Sequence, residues 1–107
     1  MLPRSAQEVS KALRVINFLK LKFAVRSGGH SPNPGWSSID GPGILIDLQR
    51  FKQIEVSKDK KVASLGSGGR WGDVIAAMDA HDVSVIGGRI PNVGVGGLML
   101  GGMYHRK

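Results

Sequence analysis

The sequence predicts an α+β domain in which helices pack on a small mixed sheet. Two segments have the apolar spacing of helices, and they alternate with short apolar segments that are typical of strands. One pair of strands is separated by a charged turn and predicts a hairpin, so the pattern departs from a regular doubly wound fold. The 107 residues contain no internal repeat or linker, which indicates one domain or part of one.

The first half contains one predicted helix and two predicted strands. The helix spans about Ala6 to Leu19, because Ser5 and Glu8 have the spacing of a capping box and apolar residues follow at helical intervals. A short apolar strand is predicted at Phe23–Arg26. A loop rich in proline and glycine follows, and it ends at a second strand candidate, Ile44–Leu48.

The second half contains a hairpin, a helix and a glycine-rich end. Gln53–Val56 and Val62–Leu65 flank a Lys-Asp-Lys-Lys turn and predict the hairpin. Trp71 to about His81 has helical spacing, and Val83–Ile86 predicts a further short strand. The apolar, glycine-rich segment Gly87–Gly102 is expected to hold one short helix or turn.

Composition excludes several classes of function. The chain has no cysteine, which excludes disulfides, thiolate zinc sites and thiol nucleophiles. No apolar run approaches the ~18 residues of a membrane-spanning helix, and the first residues lead directly into a helix, so we expect neither a membrane span nor a signal peptide. The net charge of +7 is compatible with nucleic-acid binding, but the basic residues are spread along the chain and lack interleaved aromatics. We interpret them as a solvated surface.

The residues with the clearest chemistry are Arg-Ser-Gly-Gly-His-Ser at 26–31, directly after the first strand. Two adjacent glycines allow backbone N–H groups to converge on an anion, and Arg26 adds a planar cation. The pattern indicates a phosphate-binding turn with His30 beside it. Taken alone, His30 is also explained as a turn histidine that bonds a nearby carbonyl group.

A second glycine-rich segment lies at 91–97, with the sequence Pro-Asn-Val-Gly-Val-Gly-Gly. Bare backbone can approach a flat ring or a phosphate closely, but glycines serve tight helix–sheet packing equally well. Neither this segment nor Gly66–Gly69 fits the Gly-x-Gly-x-x-Gly dinucleotide fingerprint, and the nucleotide-triphosphate loop is absent from the sequence. Trp36 and Trp71 are expected to anchor the core or a loop.

Together, RSGGHS at 26–31 and GGRIPNVGVGG at 87–97 resemble the FAD-linked oxidoreductases with a PCMH-type FAD-binding domain, of the vanillyl-alcohol oxidase superfamily. The chain is most similar to the berberine bridge enzyme-like, or oligosaccharide oxidase-like, branch, and the resemblance covers Pro3 to about Gly102. It implies that residues 1–107 form the N-terminal, incomplete part of this domain. FAD is the implied cofactor.

The resemblance also implies roles for individual residues. His30 is expected to bond covalently to the 8α-methyl group of the flavin. Pyrophosphate contacts are implied for Arg26, Ser27, Gly28, Gly29 and Ser31. Flavin contacts are implied for Pro91, Val93, Gly94, Gly96 and Gly97. Doubly tethered members of the branch carry a cysteine where this chain has Ile90, so a single tether is expected.

The implied function is oxidation of a small organic substrate by hydride transfer to the flavin. We assign no catalytic residue and no metal ligand, because the substrate domain and the base are expected outside this chain, which should be inactive alone. The expected partners are FAD and the substrate, with neither nucleic acid nor membrane. Two alternatives stay open: a non-catalytic fragment or degenerate paralogue with a folding or interaction role, and a basic nucleic-acid-binding module.

Overall fold

A computed structural model describes residues 1–101 and contains three helices and four strands. In chain order they are α1 (Ala6–Phe18), β1 (Phe23–Arg26), β2 (Ile44–Asp47), β3 (Ile54–Val56), β4 (Ala63–Leu65), α2 (Trp71–Ala80) and α3 (Val95–Gly101). The predicted α+β class is confirmed. The short helix expected in the glycine-rich end is α3. Among residues 1–101, none of the helices has the length and the apolar composition of a membrane span.

The strands form two separate two-stranded sheets in place of the expected single mixed sheet. β1 and β2 pair in parallel, with Phe23 opposite Ile44 and Arg26 opposite Asp47. β3 and β4 pair antiparallel and form the predicted hairpin. Because parallel neighbours end at the same edge of a sheet, the loop that follows β1 begins beside the carboxyl end of β2.

Helix α1 begins at the predicted capping residue. The Ser5 hydroxyl accepts a hydrogen bond from the Glu8 N–H group at 3.2 Å. The Glu8 carboxylate accepts from the Arg4 N–H group at 2.8 Å, so the return bond of the capping box is made one residue earlier than expected. Both bonds satisfy backbone donors that the helix itself leaves unpaired.

The main core lies where α2 packs on the hairpin and on the start of α3. Trp71, Val74, Met78 and Val95 are its buried members. The Trp71 side chain is fully buried, which confirms its predicted role as an anchor. Gly88 packs directly on the indole, since an added Cβ would lie 2.6 Å from Trp71 Cδ1. This packing fixes the N-terminus of α2 against the glycine-rich end of the chain.

The predicted strand Val83–Ile86 is wrong, because this segment is irregular. Its alternating exposure has another cause. Val83 and Val85 pack against the core of α2, whereas the Ile86 side chain is 73% exposed. The Val83 N–H group bonds the Met78 carbonyl at the end of α2, and within residues 1–101 no strand pairs with the segment. The alternation therefore reflects packing on a helix and not sheet pairing.

Candidate functional site

Three loops from distant parts of the sequence meet on one side of α2. We call them the first loop (Arg26–Ser31, which starts with the last residue of β1), the middle loop (Gly66–Arg70, between β4 and α2) and the third loop (Pro91–Gly97, which includes the first residues of α3). The middle and third loops are joined by backbone hydrogen bonds from Val95 to Gly69 and from Gly96 to Ser67, at 3.0 and 3.2 Å. The middle and third loops are therefore neighbours in space.

The first and third loops touch through bare backbone at Gly28 and Gly94. A Cβ added to Gly28 would lie 2.6 Å from the Gly94 Cα atom, and one added to Gly94 would lie 2.5 Å from the Gly28 Cα atom. Both distances are far below van der Waals contact, so neither position accepts a side chain without moving the backbone. Glycine at both positions is what allows the loops to meet.

The Ser27 hydroxyl ties all three loops together. It donates a hydrogen bond to the Ser67 carbonyl at 2.5 Å and accepts one from the Gly96 N–H group at 3.2 Å. Its proton is therefore used inside the protein. A pyrophosphate contact from Ser27, as the sequence suggested, would have to come from its backbone.

Arg70, at the end of the middle loop, makes a second connection between the outer loops. Its Nη1 atom donates to the Gly28 carbonyl and to the Asn92 carbonyl, each at 2.6 Å. Arg70 also forms an isolated antiparallel bridge with Gly94. A single guanidinium group thus holds the first and third loops at a fixed separation.

On one side of the Ser27–Gly29 backbone lies a polar cavity of about 500 Å³. Its charged and polar walls include Arg26, Asp47, Gln49 and Arg70. The Arg26 Nε atom donates to the Ser37 carbonyl at 2.8 Å, and its Nη1 atom lies 3.8 Å from a carboxylate oxygen of Asp47. The cavity therefore combines two guanidinium groups with one carboxylate and has a net positive charge.

On the other side of the same backbone lies a more apolar cavity of similar size, about 500 Å³. His30 and Ser31 line it together with Trp36, Val93 and Leu98. The Trp36 side chain is 75% exposed, so the prediction that it is an anchor is wrong. The backbone near Trp36 is held by the bond from Arg26 to the Ser37 carbonyl and by the bond from the Trp36 N–H group to the Asn33 carbonyl, whereas the indole is exposed at the cavity wall.

Gly97 also lines the apolar cavity, and it differs from Gly28 and Gly94. A Cβ added to Gly97 would meet no atom within 4 Å among the described residues. Packing among residues 1–101 therefore does not account for glycine at this position. Open space beside a helical glycine that lines a cavity is what a closely approaching ligand would require.

Most of the predicted site residues line one of the two cavities, and two do not. Gly28, Gly29 and His30 share the apolar cavity with Val93, Gly94 and Gly97. Pro91 is exposed and bonds the start of α2 through its carbonyl group, and Gly96 packs on Ser67. Neither of these two residues lines either cavity.

Sequence reasoning missed the middle loop as part of the site. Gly68 passes so close to the Leu48 carbonyl group that a side chain could not be accommodated there, while Ser67 and Arg70 bond the other two loops. The available signal was the glycine cluster Gly66–Gly69 directly after a strand. That cluster fits neither the dinucleotide nor the triphosphate fingerprint. Within residues 1–101, no group of three or more His, Asp or Glu side chains could hold a metal ion.

A family model described as an FAD binding domain matches residues 1–106. The chain belongs to this family of FAD-binding domains. FAD-dependent monooxygenase yanF of Aspergillus niger is 47% identical over 100 residues, which cover 94% of this chain and 17% of that protein. The chain spans between 17% and 20% of the length of such relatives. Their names place the FAD-binding domain among FAD-dependent oxidoreductases.

Solved structures agree with this family. The structure of glucooligosaccharide oxidase from Acremonium strictum, which has a 6-S-cysteinyl, 8α-N1-histidyl FAD, superposes with a TM-score of 0.81 at 29% identity and covers 96% of this chain and 22% of its own. A structure of berberine bridge enzyme superposes with a TM-score of 0.68 at 31% identity, and it covers 76% of this chain and 16% of its own. The resemblance to the berberine bridge enzyme-like and oligosaccharide oxidase-like branch is confirmed.

Proposed function

We propose that this chain is the FAD-binding portion of an FAD-linked oxidoreductase and that its flavin is bound covalently through His30. The observation that carries the proposal is the shared cavity: the Gly28–Gly94 contact brings His30 and Gly97 to the same apolar space. That space lies directly against a loop suited to an anion. A histidine that lines a cavity beside such a loop has little explanation as a simple turn residue.

The two cavities fit the two chemical parts of FAD. The polar cavity, with Arg26 and Arg70, suits the anionic diphosphate, because guanidinium groups bind phosphate oxygens through charge-assisted hydrogen bonds. The apolar cavity, with Val93 and Leu98, suits an aromatic ring system. Both cavities share the backbone of Ser27–Gly29, whose second glycine has a positive φ of 65°. Only a residue without a Cβ adopts that conformation easily.

The residues of this chain would bind and orient the cofactor, and the redox chemistry belongs to the flavin. When bound, a flavin accepts a hydride from a small organic substrate. His30 would hold the ring in the apolar cavity through the 8α-methyl carbon. The exposed imidazole is accessible to the ring. Because Ile90 offers no thiol for a second bond, a single attachment point is part of the proposal.

The experiment that tests the tether uses the complete protein that contains this chain. Flavin fluorescence should travel with the wild-type polypeptide on a denaturing gel, and His30→Ala should abolish it. His81→Ala is the matched control, because His81 is exposed beyond the end of α2 and lines neither cavity. Fluorescence that survives His30→Ala would contradict the assignment of His30.

We also propose that turnover requires residues outside this chain. A flavin oxidoreductase needs a pocket over the ring and usually a positioned base. The described residues supply the two cavities and the loops between them, with no assigned base. Oxygen uptake with a panel of sugars, alcohols and aromatic alcohols should therefore not exceed that of free FAD when the 107-residue chain is tested. Robust oxidase activity of the chain would contradict this division of roles.

A further inference from the structure

Arg70 bonds the first and third loops and also lines the polar cavity. Building on the proposed function, we propose that Arg70 is a positioning residue of the FAD site that also binds the diphosphate. Its Nη1 atom fixes the separation of the first and third loops, and its remaining N–H donors serve an anion in the polar cavity. Arg70 lies outside the two motifs that carry the family resemblance.

The positioning role follows from how the first and third loops are joined. They touch at Gly28 and Gly94, where bare backbone offers almost no side-chain surface to hold them together. Besides the bond from Gly96 to Ser27, the Nη1 atom of Arg70 supplies a connection, with a bond to each loop at 2.6 Å. Both bonds have a charged donor, which makes them stronger than bonds between neutral groups. Loss of Arg70 would remove both of these bonds and leave the Ser27–Gly96 bond to hold the two loops, so we expect the loops to move more easily.

The anion-binding role follows from the charges around the polar cavity. Arg26 lies 3.8 Å from Asp47, so the cavity holds one pair of opposite charges. Arg70 adds the second guanidinium group and gives the cavity its net positive charge. Within residues 1–101, the hydrogen bonds of the Arg70 side chain both use Nη1, so the donors on Nε and Nη2 are available to a ligand.

A lysine at position 70 could perform only part of the two roles that we propose for Arg70. Its ammonium group keeps the charge, but it lacks the planar fork that lets arginine bond two loop carbonyls and a ligand at once. Glutamine keeps a hydrogen-bond donor and loses the charge. The two substitutions therefore separate charge from geometry, and each leaves the isolated fold a polar side chain at this half-buried position.

The test uses the 107-residue chain and three variants: Arg70→Lys, Arg70→Gln and the control Arg14→Gln. Arg14 is an exposed arginine on α1 that lines neither cavity, and its replacement makes the same change in charge. NMR titrations with FAD, ADP and riboflavin report affinities, and they register millimolar dissociation constants, so FAD need not survive purification. Hydrogen exchange of the Gly28, Gly94 and Val95 amides reports the position of the loops without any ligand.

We expect Arg70→Gln to weaken FAD and ADP binding roughly tenfold or more, the loss typical of a charged hydrogen-bonding partner. Riboflavin, which has no diphosphate, should lose affinity only as far as the loops move apart. Arg70→Lys should recover part of the ADP affinity but leave amide exchange in the loops faster than in the wild type. Arg14→Gln should change each affinity less than about twofold.

The outcomes distinguish this inference from the function on which it rests. A wild-type chain that responds to neither FAD nor ADP would contradict the proposed function. A wild-type chain that binds FAD, with Arg70→Gln binding ADP equally well, would overturn the anion-binding role alone. Unchanged amide exchange in Arg70→Gln would overturn the positioning role, and a full recovery of both properties by Arg70→Lys would show that charge without the planar fork suffices.

Discussion

Replacing Gly97 by alanine should make the chain more stable and bind FAD less tightly. Gly97 lies inside α3, and the added methyl group would meet no atom of the described residues within 4 Å. Alanine stabilises a helix interior relative to glycine by about 0.5–1 kcal/mol. In a domain of this size that gain raises the melting temperature by roughly 2–8 °C. Thermal unfolding followed by circular dichroism measures it.

The loss of FAD affinity has a separate origin. The methyl group would project from a residue that lines the apolar cavity beside His30, into the space that we assign to the flavin. Overpacking by one methyl group costs about 1–3 kcal/mol, which corresponds to roughly 5- to 150-fold weaker binding. NMR titration of wild type and variant with FAD measures the ratio of dissociation constants.

The control for Gly97→Ala is Ser10→Ala, on the exposed face of α1. It also raises helix propensity and should leave FAD affinity unchanged. Two results would refute the reasoning. A lower melting temperature for Gly97→Ala would show that the space beside Gly97 is needed by the protein itself. Unchanged FAD affinity in a folded variant would show that the ligand does not approach this residue.

The remaining predictions concern other parts of the fold. Gly94→Ala should lower the free energy of unfolding by about 1–3 kcal/mol in denaturant titrations, because its Cβ would collide with backbone, and wild-type stability would contradict the described loop contact. Trp71→Ala should cost about 3–5 kcal/mol in the same measurement, whereas Trp36→Ala should stay within about 0.5 kcal/mol because its indole is exposed. The hydrogen bond from Ser57 lowers the pKa of Asp59. The ionised Asp59 carboxylate therefore stabilises the fold above the ordinary aspartate pKa, and this stabilisation is lost as the pH falls through the lowered pKa of Asp59. Ser57→Ala should raise that pKa in an NMR titration, and an unchanged pKa would show that this bond is not its cause.

Helix α1 and the β3–β4 hairpin could be predicted because the residues that indicate them lie within or directly beside these elements. The capping serine and the apolar spacing behind it predict α1 to within one residue of its end. The charged turn between two alternating segments predicts the β3–β4 hairpin for the same reason. Val83–Ile86 failed because alternation of apolar residues reports only that one side is buried. It cannot distinguish burial against a helix from burial within a sheet.

The site could be predicted only in part, because its contacts join residues that are far apart in sequence. The motifs identified the first and third loops by resemblance, but nothing in the sequence indicates that Arg70 bonds Gly28 across 42 residues and Asn92 across 22. The arginine lies next to a glycine cluster that fits no familiar fingerprint. Its role depends on the position of α2, which is set by the burial of Trp71 directly after it.

The structure separates two explanations for the glycines of the site that the sequence motifs leave together. In the sequence, Gly94 and Gly97 belong to one run and have the same explanation, either close packing or close approach of a ligand. In the structure these explanations separate: Gly94 is in contact with the first loop, and Gly97 has open space beside it. A substitution at Gly94 therefore tests how the site is assembled, whereas one at Gly97 tests what the assembled site binds. Opposite effects of these two substitutions on stability would connect the same glycine-rich segment to both folding and cofactor binding.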